Sequence, residues 1–168
     1  MRPDHAYTAP GIYTITVTVT DDDQHSATAS VIAVVYDPAG GRVTGGGWID
    51  SPPGAYTPDP SVVGKVHFTF EASYPAGTAT PAGNISARLQ DVNLSMDVTS
   101  LDWLVVAPNG EAAVEGTATM GTQQVRFILY GYQGCGGSSS TGCQPGPDAF
   151  RAVIWPASQG ANPTAPFL

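Results

Sequence analysis

Tyr13-Thr14-Ile15-Thr16-Val17-Thr18-Val19-Thr20 alternates strictly, with Tyr, Ile and Val at one parity and Thr at the other. Side chains of period two lie on opposite faces of a strand, so this run predicts a half-buried β-strand and excludes an amphipathic helix. Asp21-Asp22-Asp23-Gln24 follows as a turn, and Ser26–Val35 returns as a second strand, closing a β-hairpin over residues 12–35. The remaining chain repeats the habit. Gly64–Ala72 puts Val66, Phe68 and Phe70 on one face and Lys65, His67, Thr69 and Glu71 on the other. Further strands are predicted at 84–91, 92–99, 102–107, 111–120, 123–131 and 148–155, and Asn109-Gly110 marks a tight hairpin. Pro and Gly punctuate the runs, with 15 and 20 copies in 168 residues, while helix formers are scarce.

The expected fold class is therefore all-β: an antiparallel β-sandwich or jelly-roll-like domain preceded by a hairpin. Asp37-Pro38-Ala39-Gly40-Gly41 reads as a linker, which divides the chain at residues 1–37 and 38–168. Trp48 and Ile49 open a new core after it, and Gly45-Gly46-Gly47 reads as a bulge or turn. Trp48, Trp103 and Trp155 all sit in apolar strand contexts and are expected inside. The tail from Pro156 is expected to run over the surface.

The stretch from His5-Ala6-Tyr7-Thr8-Ala9-Pro10-Gly11 through Thr20-Asp21 resembles the closing motif of PKD domains. These are Ig-like β-sandwiches of bacterial and archaeal surface proteins and secreted hydrolases. The likeness covers about residues 5–35; the Trp-Asp-Phe-Gly-Asp-Gly-like strand and turn of the family is absent, so the resemblance implies a truncated Ig-like unit. It also implies that His5 packs beside Tyr7. Val43–Trp155 resembles a β-domain found after PKD or Ig-like repeats in bacterial extracellular proteins, on Gly45-Gly46-Gly47-Trp48-Ile49, Gly64–Phe68, Leu101–Val106 and Asp148–Trp155. That resemblance implies location and architecture, with no activity attached. Pro156 stands where an acidic residue usually follows the last Trp.

Charge narrows the partners. The formal net charge is −8, which opposes binding to nucleic acid or an anionic membrane surface. No apolar run reaches the roughly 20 residues that span a bilayer. Met1-Arg2-Pro3-Asp4-His5 has no hydrophobic segment behind it, so an exported form implies a longer precursor. Cys135 and Cys143 flank a Gly/Ser-rich loop that closes with little strain; a disulfide there implies an oxidising, secreted or cell-surface location.

Candidate chemistry is sparse. The chain carries no Gly-x-Ser-x-Gly elbow, His-Glu-x-x-His pair or phosphate-binding loop. His67 and Glu71 share a strand face and are the candidates for a metal-assisted hydrolase, although two ligands fall short of the three usual at catalytic zinc. Asp21 and Asp23 are candidates for weak calcium binding, the one cofactor considered, against ordinary turn chemistry. Arg88, Arg126 and Arg151 each lie on a predicted strand and could form a ladder with Glu71 and Asp91 that takes a carboxylate or acidic sugar. Tyr130 and Tyr132 border the Cys-closed loop, and that rim is the favoured binding locus. The leading expectation is a non-catalytic extracellular β-module for adhesion, spacing or docking, with carbohydrate or another surface protein as partner. The alternatives are a small secreted hydrolase and a structural protein that self-assembles, as a dimer or larger, by strand exchange.

Overall fold

The computed structural model describes residues 4–135, 142, 143 and 145–160. It is all-β and antiparallel, as the alternation predicts. Strands β1 (Gly11–Thr20) and β2 (Ser26–Val35) form a two-stranded sheet. Strands β3 (Arg42–Ser51), β4 (Gly64–Ser73), β5 (Ala82–Leu89), β6 (Leu94–Val106), β7 (Glu111–Met120), β8 (Gln123–Tyr132) and β9 (Ala149–Pro156) form a seven-stranded meander in chain order. A short 3-10 turn, Ala157–Gln159, follows β9. Residues 161–168 of the expected surface tail lie outside the described residues, as do Met1–Pro3 and positions 136–141 of the Cys-closed loop.

The hairpin turns as its residues dictate. The Asp21 carboxylate accepts from the backbone N–H of His25 at 2.7 Å, and Gln24 N–H donates to the Asp21 carbonyl at 3.1 Å. Gln24 takes a φ of +64°, the left-handed position that a short hairpin loop demands. Thr and Ser oxygens pair across the strands at Thr16–Ser30, Thr18–Thr28 and Thr20–Ser26. The opposite face carries Ile15, Val17, Val19 and Val31, which are exposed. At the other end, His5 stands edge-on to Tyr7 with ring centroids 4.7 Å apart, as the family likeness implies.

In the large sheet every second residue points to a concave face. Its core joins Ala72, Ile85, Met96, Leu101, Leu104, Val114, Ala118, Val125, Phe127 and Leu129. The sheet curls until its ends meet: Phe150 of β9 stacks on Phe68 of β4 with centroids 3.8 Å apart. One continuous meander thus supplies both layers of a sandwich-like core. Tyr74 clamps the layers. Its hydroxyl donates to the Leu104 carbonyl at 3.0 Å and accepts from Leu104 N–H at 2.9 Å. Tyr36, after β2, stacks on Tyr74 at 5.9 Å and ties the hairpin's exit to the sheet.

Three expectations are corrected. The strands predicted at 92–99 and 102–107 are one 13-residue strand, β6, whose pairing with β7 slips at Val98/Ser100 and at Leu101/Trp103. Gly116 sits opposite those slips, where an added Cβ would lie 2.2 Å from the Ser100 carbonyl oxygen. Such slips deepen the local twist and help the sheet curl. Gly45-Gly46-Gly47 is neither bulge nor turn but regular strand, paired residue for residue with β4. The ring of Phe70 lies against Gly45, and that of Phe68 against Gly47, filling the space side chains would take. Trp48, finally, is 53% exposed. Its parity is that of Thr44 and Asp50, opposite to Val43 and Ile49, so it points outward.

Candidate functional site

The end of the sheet where β6 and β8 finish and β7 and β9 begin carries a cavity of about 340 Å³, within the size range of small-ligand sites. Val105 and Ala113 form its floor, Tyr130, Tyr132 and Arg151 its wall, and Ile12 of β1 closes it from the hairpin side. The register explains the wall. Tyr130 pairs with Ala113 on one side and Arg151 on the other, so all three face the same way. Burial pushes the Tyr130 hydroxyl well above the ordinary tyrosine pKa, although the nearby Arg151 charge opposes the shift. The phenol therefore stays neutral. The Cys135–Cys143 disulfide stands beside this end, as predicted, and Cys143 packs on the Asn109-Gly110 turn.

Below the cavity, on the same outer face, lies a polar cluster that the sequence did not signal. Glu115 is 6% exposed. Its carboxylate accepts from Arg126 Nη2 at 2.7 Å and from the Trp103 indole N–H at 2.7 Å. Arg126 Nη2 also donates to Asp102. Burial alone would lower the Arg126 pKa; the bonds to Glu115 and Asp102 outweigh it and hold the guanidinium above its ordinary value. Its Nε is buried without a hydrogen-bond partner. This arrangement orients strands; every carboxylate in it is already bonded to a cation.

The remaining candidates are dispersed. Arg88 lies on β5, separated by two intervening strands from Arg126 on β8, and donates to Asn93 at 2.6 Å. The three arginines form no ladder, and neither Glu71 nor Asp91 joins them: Glu71 pairs with Arg42 at 2.8 Å. Only Arg151 reaches the cavity with Tyr130 and Tyr132. His67 and Glu71 do share the outer face of β4, but four residues of strand separate them by about 13 Å, and neither lines the cavity. Asp21 is engaged in its turn, with the His25 ring 3.5 Å away. Among the described residues no group of three or more His, Cys, Asp or Glu side chains stands ready to hold a metal ion.

Fold and cavity together describe a disulfide-closed, all-β protein with a cavity at one end of a curled sheet. A family model for the PKD domain matches residues 1–35, which are the hairpin and its lead-in. No curated protein and no solved structure matches the chain. A PKD-like start and a disulfide are both typical of extracellular proteins, and no described helix is long and apolar enough to cross a membrane.

Proposed function

We propose that this protein is a non-catalytic module of an extracellular or cell-surface protein, and that it docks its partner at the cavity between the hairpin and the large sheet. The cavity itself carries the reading. It offers shape, apolar contact, two phenols, the Arg151 guanidinium and the Glu111 carboxylate, as a binding cleft does. The described lining contains no Ser, Thr, Cys, His or Lys, and its one carboxylate, Glu111, has no second Asp or Glu in the lining to form an acid–base pair. Anilinonaphthalene sulfonate is a suitable first probe, since its rings match the lining and its sulfonate matches Arg151. Saturable one-to-one fluorescence enhancement is expected, lost in Ala113→Phe and weakened in Arg151→Ala. Hydrolysis of nitrophenyl esters or glycosides by the purified chain, abolished in His67→Ala or Glu71→Ala, would overturn the proposal in favour of a hydrolase.

A second reading, association of copies through the hairpin, is favoured by the exposed face of Ile15, Val17, Val19 and Val31. Two-stranded sheets with one bare apolar face gain from a covering layer. Sedimentation velocity showing a single monomeric species at all concentrations would dismiss it.

A further inference from the structure

The outer face of β3, β4 and β5 differs from the rest of the sheet's exterior. Over β6–β9 the outward residues Val105, Ala113, Ile128 and Trp155 are buried. Over β3–β5 the outward residues are exposed and polar, with a single aromatic among them. Register sets them in rows. Trp48 pairs with His67, and His67 with Arg88; one row along, Gly46 pairs with Thr69, and Thr69 with Ser86. Neighbouring members of a row are about 5 Å apart.

We infer that this plate binds a polysaccharide chain, with Trp48 as the stacking platform and the His67–Arg88 row beside it supplying hydrogen bonds. Four observations carry the inference. A half-exposed indole in a polar frame matches a pyranose ring, which is apolar on its faces and hydroxylated around its rim. Lys65 Nζ lies 3.0 Å from the Trp48 ring centroid and holds the orientation of an indole that is otherwise largely exposed. The polar side chains are already held in place: Thr69 bonds Ser86 at 2.9 Å and Arg88 bonds Asn93 at 2.6 Å. Preorganised donors and acceptors lose little entropy on binding. Gly46 carries no side chain in the row next to Trp48, so a chain can lie close to the backbone there.

The plate's charge is consistent with this ligand. Three of the six Lys and Arg residues, Arg42, Lys65 and Arg88, lie on it in a molecule of net charge −8. On the plate they face two acids, Asp50 and Glu71, which leaves one positive charge in excess, so the surface admits neutral and acidic sugars alike. A protein partner would call for an apolar interface centre, which one Trp does not make. An open sheet face without a cavity also suits an extended polymer better than a small molecule. The inference does not rest on the cavity.

Native electrophoresis through gels containing hydroxyethylcellulose, xylan or polygalacturonate tests it on the whole chain. Retardation by at least one polymer is expected, and the polymer responsible distinguishes neutral from acidic sugars. Trp48→Ala should weaken the retention-derived affinity about tenfold, equivalent to the loss of one good stacking contact. Trp48→Tyr should restore most of it, Arg88→Ala should weaken it a few-fold, and Gln124→Ala, at an exposed position of β8 outside both the plate and the cavity, should leave it unchanged. An unaltered melting temperature in Trp48→Ala shows that the fold survives, and Trp48→Tyr decides the matter if it does not. No retardation in any gel overturns the inference. So does equal retardation of Trp48→Ala, or loss of retardation in Tyr132→Ala alone, which would move the site to the cavity.

Discussion

Glu115 is the one buried charge in the described core, and its worth depends on Arg126 and Trp103. Removing one partner of such a group strands the other, whereas replacing both with apolar residues can be near neutral. Glu115→Ala is expected to lower stability in urea by about 3 kcal/mol, and Arg126→Met/Glu115→Leu to recover at least half of that. Tyr74 and Tyr130 add a pH dependence. Burial raises both hydroxyl pKa values, so the folded protein keeps protons that the unfolded chain releases at about pH 10. Their contribution is fully present below that pH and is lost as pH rises above it. The expected outcome is a melting temperature that falls from about pH 10 upward, with a shallower fall in Tyr130→Phe. At this scale strand parity places Trp48 on the polar face with Thr44 and Asp50, while its apolar neighbour Ile49 belongs to the opposite face. The Glu115 cluster was unreadable, because Asp102, Trp103, Glu115 and Arg126 come from three strands whose register only folding sets.

Among the elements, β3 teaches most. A glycine triplet weakens a strand through entropy and lack of packing. Here aromatic rings from β4 lie over it, and the two concave-facing glycines differ in tolerance. A Cβ on Gly45 would meet Phe70 Cζ at 2.6 Å, while one on Gly47 would meet Phe68 at an ordinary 3.6 Å. Gly45→Ala is expected to cost about 1–2 kcal/mol in chemical denaturation through forced repacking, and Gly47→Ala to be neutral or slightly stabilising. Strand positions were mostly legible, since alternation and turn residues are local signals. β1, β2, β4, β7, β8 and β9 all stand where the pattern puts them. The exceptions are β3, whose glycine triplet reads as a bulge or turn, β5, which runs two residues earlier than predicted, and β6. The slips of β6 opposite Gly116 look like a break in sequence, because a bulge shifts the parity of apolar residues just as a loop does.

For the whole molecule, the cross-link and the closure of the sheet set the response to stress. The Cys135–Cys143 bond spans eight positions, and loop-closure entropy for so short a loop is worth about 2–3 kcal/mol. Full reduction should lower the melting temperature by roughly 5–10 °C, read by circular dichroism with and without reductant. A smaller shift would mean that packing of Cys143 on the Asn109-Gly110 turn holds that end without the bond. What the sequence alone determined is the all-β class, the hairpin with its PKD likeness, the disulfide pair and the alternating faces of β1 and β4. Those follow from period-two patterning, turn chemistry and short loops, which act over neighbouring residues. Only the tertiary structure decided that seven strands curl until Phe150 meets Phe68, and that Ile12 of the hairpin closes over Tyr130, Tyr132 and Arg151. It alone left Trp48 and its polar rows open to solvent. Each of these depends on long-range register and curvature, sums of small twists that no local stretch of residues encodes by itself.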